Sequence, residues 1–147
     1  MANFPMFPSI ERVCLNYVDF TDFHHLDGLL VRFPNVHELY MEHSSMPEYA
    51  SYTGGYRASS LRLRSLEFVD CIMDPLLHYF LKGLIVPTSS VSMGCLSFDD
   101  IAIVGEYFAM FGNVLREVRI GLYNDGDGTE NLGKRNLTLL YIFTQFL

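Results

Sequence analysis

The sequence predicts an α/β fold of the repeating, solenoid kind, with a curved parallel sheet on the concave side, helices on the convex side and about five irregular units. Three observations predict it. An 11-residue block with apolar residues at positions 1, 4 and 6 occurs five times. The blocks start at Ile10, Val36, Leu63, Met93 and Leu115, so successive starts are 26, 27, 30 and 22 residues apart. Spacings of this size hold one strand and one helix. Phe7-Pro8 and Phe33-Pro34 precede the first two blocks at the same offset, and proline there leads into extended backbone. Positions 4 and 6 alternate with 3, 5 and 7, which makes one strand face apolar and the other polar. No single unit can bury such a face, whereas stacked units share a continuous core.

The first block is Ile10, Val13, Leu15, Val18 and Phe20, with a strand over 10–15. Asp19 or Thr21 is placed to cap a helix over 22–32, where Phe23, Leu26, Leu29 and Leu30 recur at helical spacing. His24 and His25 on that helix lack a second pair of ligands and read as a surface pair. The second block is Val36, Leu39, Met41, Ser44 and Met46, with a strand over 36–41. The return path at 46–60 reads as a short helix broken at Thr53-Gly54-Gly55, with Tyr49, Tyr52 and Tyr56 in a loop over the core.

The third block is Leu63, Leu66, Phe68, Cys71 and Met73, with a strand over 63–68. Asp74-Pro75 then opens a helix with Leu76, Leu77, Phe80, Leu81 and Leu84 as its buried stripe. The fourth block is read as Met93, Leu96, Phe98, Ile101 and Ile103. Its strand covers 93–98 and its helix follows Asp99-Asp100 to about Phe111. The fifth is Leu115, Val118, Ile120 and Tyr123, with a strand over 115–122 and a loop to Asn131. Residues 132–147, apolar on every side, read as a buried helix. Neither end of the array carries the polar cap that a solenoid needs. Residues 1–147 are therefore expected to be one repeat domain cut from a longer array, or one whose ends meet another chain or a second copy.

The block matches L-x-x-L-x-L-x-x-N/C-x-L, the motif of leucine-rich repeats. With the Phe-Pro-x-Val-x-x-Leu-x-Met run at Phe33–Met41 and its phenylalanine-rich units, the chain resembles the leucine-rich repeat region of F-box proteins, particularly the divergent fungal kind, over about residues 10–147. Position 9 holds Val18, Ser44, Cys71, Ile101 and Tyr123, which departs from an asparagine ladder and matches the cysteine-containing subclass once. The resemblance implies a module that selects substrates for a ubiquitin ligase. No F-box-like helical segment lies before residue 10, so the resemblance does not extend to the contact with a ligase adaptor.

Ten Lys and Arg against 17 Asp and Glu give a net charge of −7. Nucleic-acid binding needs a basic footprint that this chain lacks, and an acidic balance favours a basic partner. Cys14, Cys71 and Cys95 are odd in number and far apart, which points to a reducing compartment, cytoplasm or nucleus. The start has no basic region leading into an apolar run, and no 18-residue apolar stretch occurs, so neither a signal peptide nor a membrane span is expected.

Gly128 to Lys134 imitates a phosphate-binding loop, but Arg135 replaces the hydroxyl that would hold Mg²⁺, and Asp125, Asp127 and Glu130 would repel phosphates. Counted from Asp125, Glu130 falls where a calcium loop needs glycine. Asn136-Leu137-Thr138 is a glycosylation sequon with no signal peptide to expose it to glycosylation. The expectation is no enzyme, no cofactor and no metal.

Positions 3, 5, 7 and 8 should form the concave face. On the blocks as read they carry seven acids against two arginines. Solenoids bind extended partners on such faces, and one sign of charge steers a partner of the other. The candidate contact residues are Tyr17, Tyr40, Glu42, His43, Glu67, Asp70, Asp99, Asp100 and Arg119. The expected function is a protein–protein interaction module binding a basic protein. The alternatives are a scaffold fragment without a ligand of its own and a nucleotide-binding enzyme on the Gly128–Lys134 loop.

Overall fold

The computed structural model describes residues 5–47, 61–85, 87–111, 113–122 and 138–143. Strands β1 (Arg12–Asn16), β2 (Glu38–Glu42), β3 (Ser65–Val69), β4 (Ser90–Leu96) and β5 (Glu117–Leu122) lie side by side in chain order, all parallel. A sixth strand, β6 (Thr138–Phe143), pairs antiparallel with β5. Helices α1 (Phe23–Leu30), α2 (Met73–Gly83) and α3 (Ile101–Phe111) lie in the connections β1–β2, β3–β4 and β4–β5. The chain is therefore a mixed α/β protein with a five-stranded parallel sheet. Among the described residues no helix is long and apolar enough to cross a membrane.

The register is constant. Arg12, Glu38, Ser65, Ser90 and Glu117 stand abreast, and so do Val13, Leu39, Leu66, Val91 and Val118. From Arg12 to Glu117 the steps are thus 26, 27, 25 and 27 residues, more regular than the sequence blocks imply. The fourth block is the reason. It begins at Thr88, not Met93, and its core positions are Val91 and Met93, 1% and 0% exposed, while Phe98 is 77% exposed. Thr88 puts a hydroxyl where the other units have an apolar side chain, so the run Met93, Leu96, Phe98 imitates the block a few residues late. A bulge between Met93 and Leu96 adds a residue to β4 and ends its regular pairing.

The same backbone bonds recur at every step between parallel strands. The carbonyl at position 2 accepts from two successive N–H groups of the next unit: Glu11 from His37 and Glu38, His37 from Arg64 and Ser65, Arg64 from Ser89 and Ser90, and Ser89 from Arg116 and Glu117. Beyond the strands, position 9 ties neighbours together. The Ser44 hydroxyl donates to the carbonyls of Leu15 and Glu42, and the Cys71 thiol to those of Met41 and Val69. Upstream, the Phe7 and Phe33 rings stack at 5.7 Å and the Asn35 amide donates to the Pro8 carbonyl at 2.7 Å. The two Phe-Pro pairs are therefore structural neighbours.

Positions 4 and 6 meet the helices. Phe68 packs edge-on against Phe80 at 5.7 Å, and Tyr79 bridges Phe23 and Phe80 at 5.6 and 5.3 Å. Leu26, Leu30, Leu76 and Leu77 are fully buried on the same side, leaving the opposite sheet face open. The helix ends differ in detail from expectation. Asp22 itself caps α1, accepting from the His25 N–H at 3.0 Å, while Thr21 bonds the His25 ring. Helix α2 starts at Met73, with Asp74 and Pro75 inside its first turn, where a missing N–H is harmless. It ends on Leu84 in the left-handed region, with the Leu84 and Ile85 N–H groups donating to Leu81 and Phe80.

Residues 138–143 are a strand, not part of a helix. A run apolar on every side does not choose between helix and strand by periodicity. Its β-branched and aromatic content, Thr138, Tyr141, Ile142 and Phe143, suits a strand, and pairing there covers the edge of β5. The tyrosine-rich return path at 48–60, the Gly128–Lys134 loop and the rest of the terminal segment lie outside the described residues.

Two buried tyrosines occupy the same place, the seventh residue of α2 and of α3, and differ in one bond. The Tyr79 hydroxyl donates to buried Asp27 at 3.1 Å. The Tyr107 hydroxyl is buried without a partner among the described residues, and burial pushes its phenol well above the usual range. Tyr79→Phe should therefore lower the stability to urea by roughly 1–3 kcal/mol, whereas Tyr107→Phe should leave it unchanged or raise it by about 1 kcal/mol. Equal losses in the two variants would contradict this assignment of the hydrogen bond.

Candidate functional site

The open sheet face is built by positions 3, 5 and 7 of each strand, and position 8 follows at the strand end. Constant register puts residues of equal position in columns, about 4.8 Å apart. Both arginines on this face are matched by carboxylates: Arg12 lies 3.6 Å from Glu38, and Arg119 lies 2.6 Å from Glu117. Across β2 and β3 the balance changes. Among the described residues, no Arg or Lys ion pair reaches Glu42, Glu67 or Asp70.

These three carboxylates surround aromatic groups. His43 Nδ1 lies 2.9 Å from Asp70 Oδ2, and its Nε2 lies 3.9 Å from Glu42 Oε1. The imidazole stacks on Tyr17 with centroids 4.6 Å apart and planes 25° apart. Tyr17 is 76% exposed and so presents most of its ring to solvent. Tyr40 stands beside Glu67 in the position-5 column. Its phenol is held above the usual range, first by withdrawal from water, then by the nearby carboxylates of Glu42 and Glu67.

Six of the nine expected contact residues, Tyr17, Tyr40, Glu42, His43, Glu67 and Asp70, therefore come together at the β1–β3 side of the face. Arg119 lies on the same face two strands from Glu67, bound to Glu117. Asp99 and Asp100 do not belong to it. They sit in the turn before α3, where Asp100 Oδ2 accepts from the Ser97 N–H and hydroxyl at 2.8 Å each. The late reading of the fourth block put them on the sheet. Their places are taken by Ser90, Ser92, Gly94 and Cys95. The face therefore carries five acids against two arginines, and the acids with no Arg or Lys partner among the described residues gather on β2 and β3. Ser90 and Ser92 were missed, although Ser90 lies 25 residues after Ser65 and 27 before Glu117, steps that match the rest of the array.

Chemically, the cluster offers carboxylate acceptors beside the exposed ring of Tyr17, a setting for guanidinium or ammonium groups. Among the described residues no group of three His, Cys, Asp or Glu side chains is placed to hold a metal ion.

The Tyr40 phenol is a reporter for this field. A neighbouring carboxylate favours the neutral phenol, so Glu42→Gln should move the Tyr40 titration down toward the ordinary value of about 10. The ring carbon signal in an NMR pH titration reads this directly. The raised phenol contributes stability that is fully present below the unfolded value and is lost as pH rises through the folded one. An unmoved midpoint in Glu42→Gln would place Glu42 away from the ring. No protein-family model, curated protein or solved structure matches this chain.

Proposed function

We propose that this chain is a protein-interaction module of the leucine-rich repeat type, and that its open sheet face is a concave surface binding a basic protein segment. The repeat reading is supported by the constant register, by the doubled bond to each position-2 carbonyl, and by Ser44 and Cys71 bonding the preceding strand as a position-9 ladder would. The binding reading rests on one observation above all. On a face whose arginines are already matched, Glu42, Glu67 and Asp70 gather around Tyr17, Tyr40 and His43 with no Arg or Lys paired to them among the described residues. By the resemblance to F-box proteins, the bound segment belongs to a substrate presented to a ubiquitin ligase. The thiols of Cys14, Cys71 and Cys95, free in the structure, suit a reducing compartment such as cytoplasm or nucleus.

Calorimetry with an arginine-rich peptide tests the binding face. Glu42→Lys and Asp70→Lys should each weaken binding about tenfold or more, with circular dichroism unchanged, and added salt should weaken the wild type. Asp99→Lys, off the face, should bind like the wild type. An effect of Asp99→Lys equal to the other two would move the site to the α3 turn.

A further inference from the structure

The residues directly after β1, β2 and β3, and the last but one of β4, have left-handed backbone: Tyr17 at φ 56°, His43 at 46°, Asp70 at 51° and Cys95 at 62°. All four occupy position 8 of their units. The conformation disfavours any residue with a Cβ, and an aromatic ring more than His or Asp. It is imposed by the sheet, because the N–H groups of Tyr17, His43 and Asp70 reach the position-7 carbonyls of Glu42, Val69 and Gly94 at 3.0, 3.0 and 3.4 Å. The backbone at position 8 therefore favours glycine. The chain has 11 glycines, yet no described glycine has a positive φ.

None of these side chains belongs to the buried core: Tyr17 is 76% exposed, the Asp70 side chain is 45% exposed, and His43, between them, is half-buried at 30%. They do contact one another, Tyr17 on His43 at 4.6 Å and His43 on Asp70 at 2.9 Å, forming one ridge along the strand ends. A ridge that costs backbone strain, keeps the Tyr17 ring and the Asp70 carboxylate in solvent and stands beside carboxylates with no Arg or Lys paired to them among the described residues is placed for contact with something outside the chain.

We infer that the Tyr17–His43–Asp70 ridge is the contact row for an extended, arginine-bearing segment that crosses the strands. This inference rests on the binding face proposed above and names its ligand chemistry. Three strands at about 4.8 Å spacing span roughly 10 Å, the length of about three extended residues. Arginine fits better than lysine, because a planar guanidinium stacks on the open face of Tyr17 and also pairs with a carboxylate through two N–H groups. Asp70 and Glu42 supply those carboxylates.

The test replaces ridge side chains by the residue that the backbone favours. Tyr17→Gly and His43→Gly relieve strain while deleting contact atoms, and Tyr17→Asn and His43→Asn repeat the deletion with a residue that tolerates the left-handed region. The probes are hexa-arginine and hexa-lysine peptides, read by calorimetry, with Tm read in parallel. The expected result is a Tm within about 2 °C of wild type, hexa-arginine affinity lowered about tenfold, and wild-type preference for hexa-arginine over hexa-lysine. A Tm lowered by more than about 5 °C in both the Gly and Asn variants would make the ridge structural and overturn the inference. Unchanged affinity in the ridge variants, while Glu42→Lys still abolishes binding, would overturn it and leave the binding face standing. Equal affinity for the two peptides would overturn the arginine assignment. A wild-type chain that binds neither peptide would remove the binding face and the ridge together.

Discussion

The doubled hydrogen bond at position 2 is the constraint on which the other features depend. One carbonyl oxygen holds two successive N–H groups of the next unit at each of the four steps between parallel strands. That leaves a following strand a single register, because a slip of one residue would turn every side chain to the other face. With the register held, Val13, Leu39, Leu66, Val91 and Val118 line one face, and the core is continuous from β1 to β5.

The open face is the same constraint seen from the other side. Columns of equal position put like charges side by side unless the sequence alternates them, as it does at position 3 between β1 and β2, while on β5 the two charges of one strand pair with each other. Arg12 meets Glu38 and Arg119 meets Glu117. The exception is the group of Glu42, Glu67 and Asp70, where aromatic rings and one imidazole stand in place of cations. Carboxylates that have no Arg or Lys partner among the described residues of a sheet face carry a repulsive cost. That cost is offset when a partner brings the missing charge, which is why this corner of the face is the part proposed to bind.

Much of the architecture was legible in the residues. Four of five apolar blocks stand in the register read from them, because Leu39 and Met41, or Leu66 and Phe68, leave no other way to alternate. The fourth was misread because Thr88 hides the start of the block and Met93, Leu96 and Phe98 copy its pattern; Asp99 and Asp100 were placed on the face by the same slip. The terminal strand was misread because Leu139, Leu140, Tyr141 and Ile142 carry no period. The ridge was hidden for another reason. Left-handed backbone is read from Gly or Asn, and here Tyr17, His43, Asp70 and Cys95 occupy it.

Methyl and aromatic proton contacts around Val91, measured by NMR on the intact chain, test the stacked register most directly. The structure requires Val91 methyls in contact with Leu66 on one side and Val118 on the other. Contacts joining Leu66 to Leu96 or Phe98 instead would place the fourth strand in the later register, return Asp99 to the open face, and contradict the account of both sheet and site.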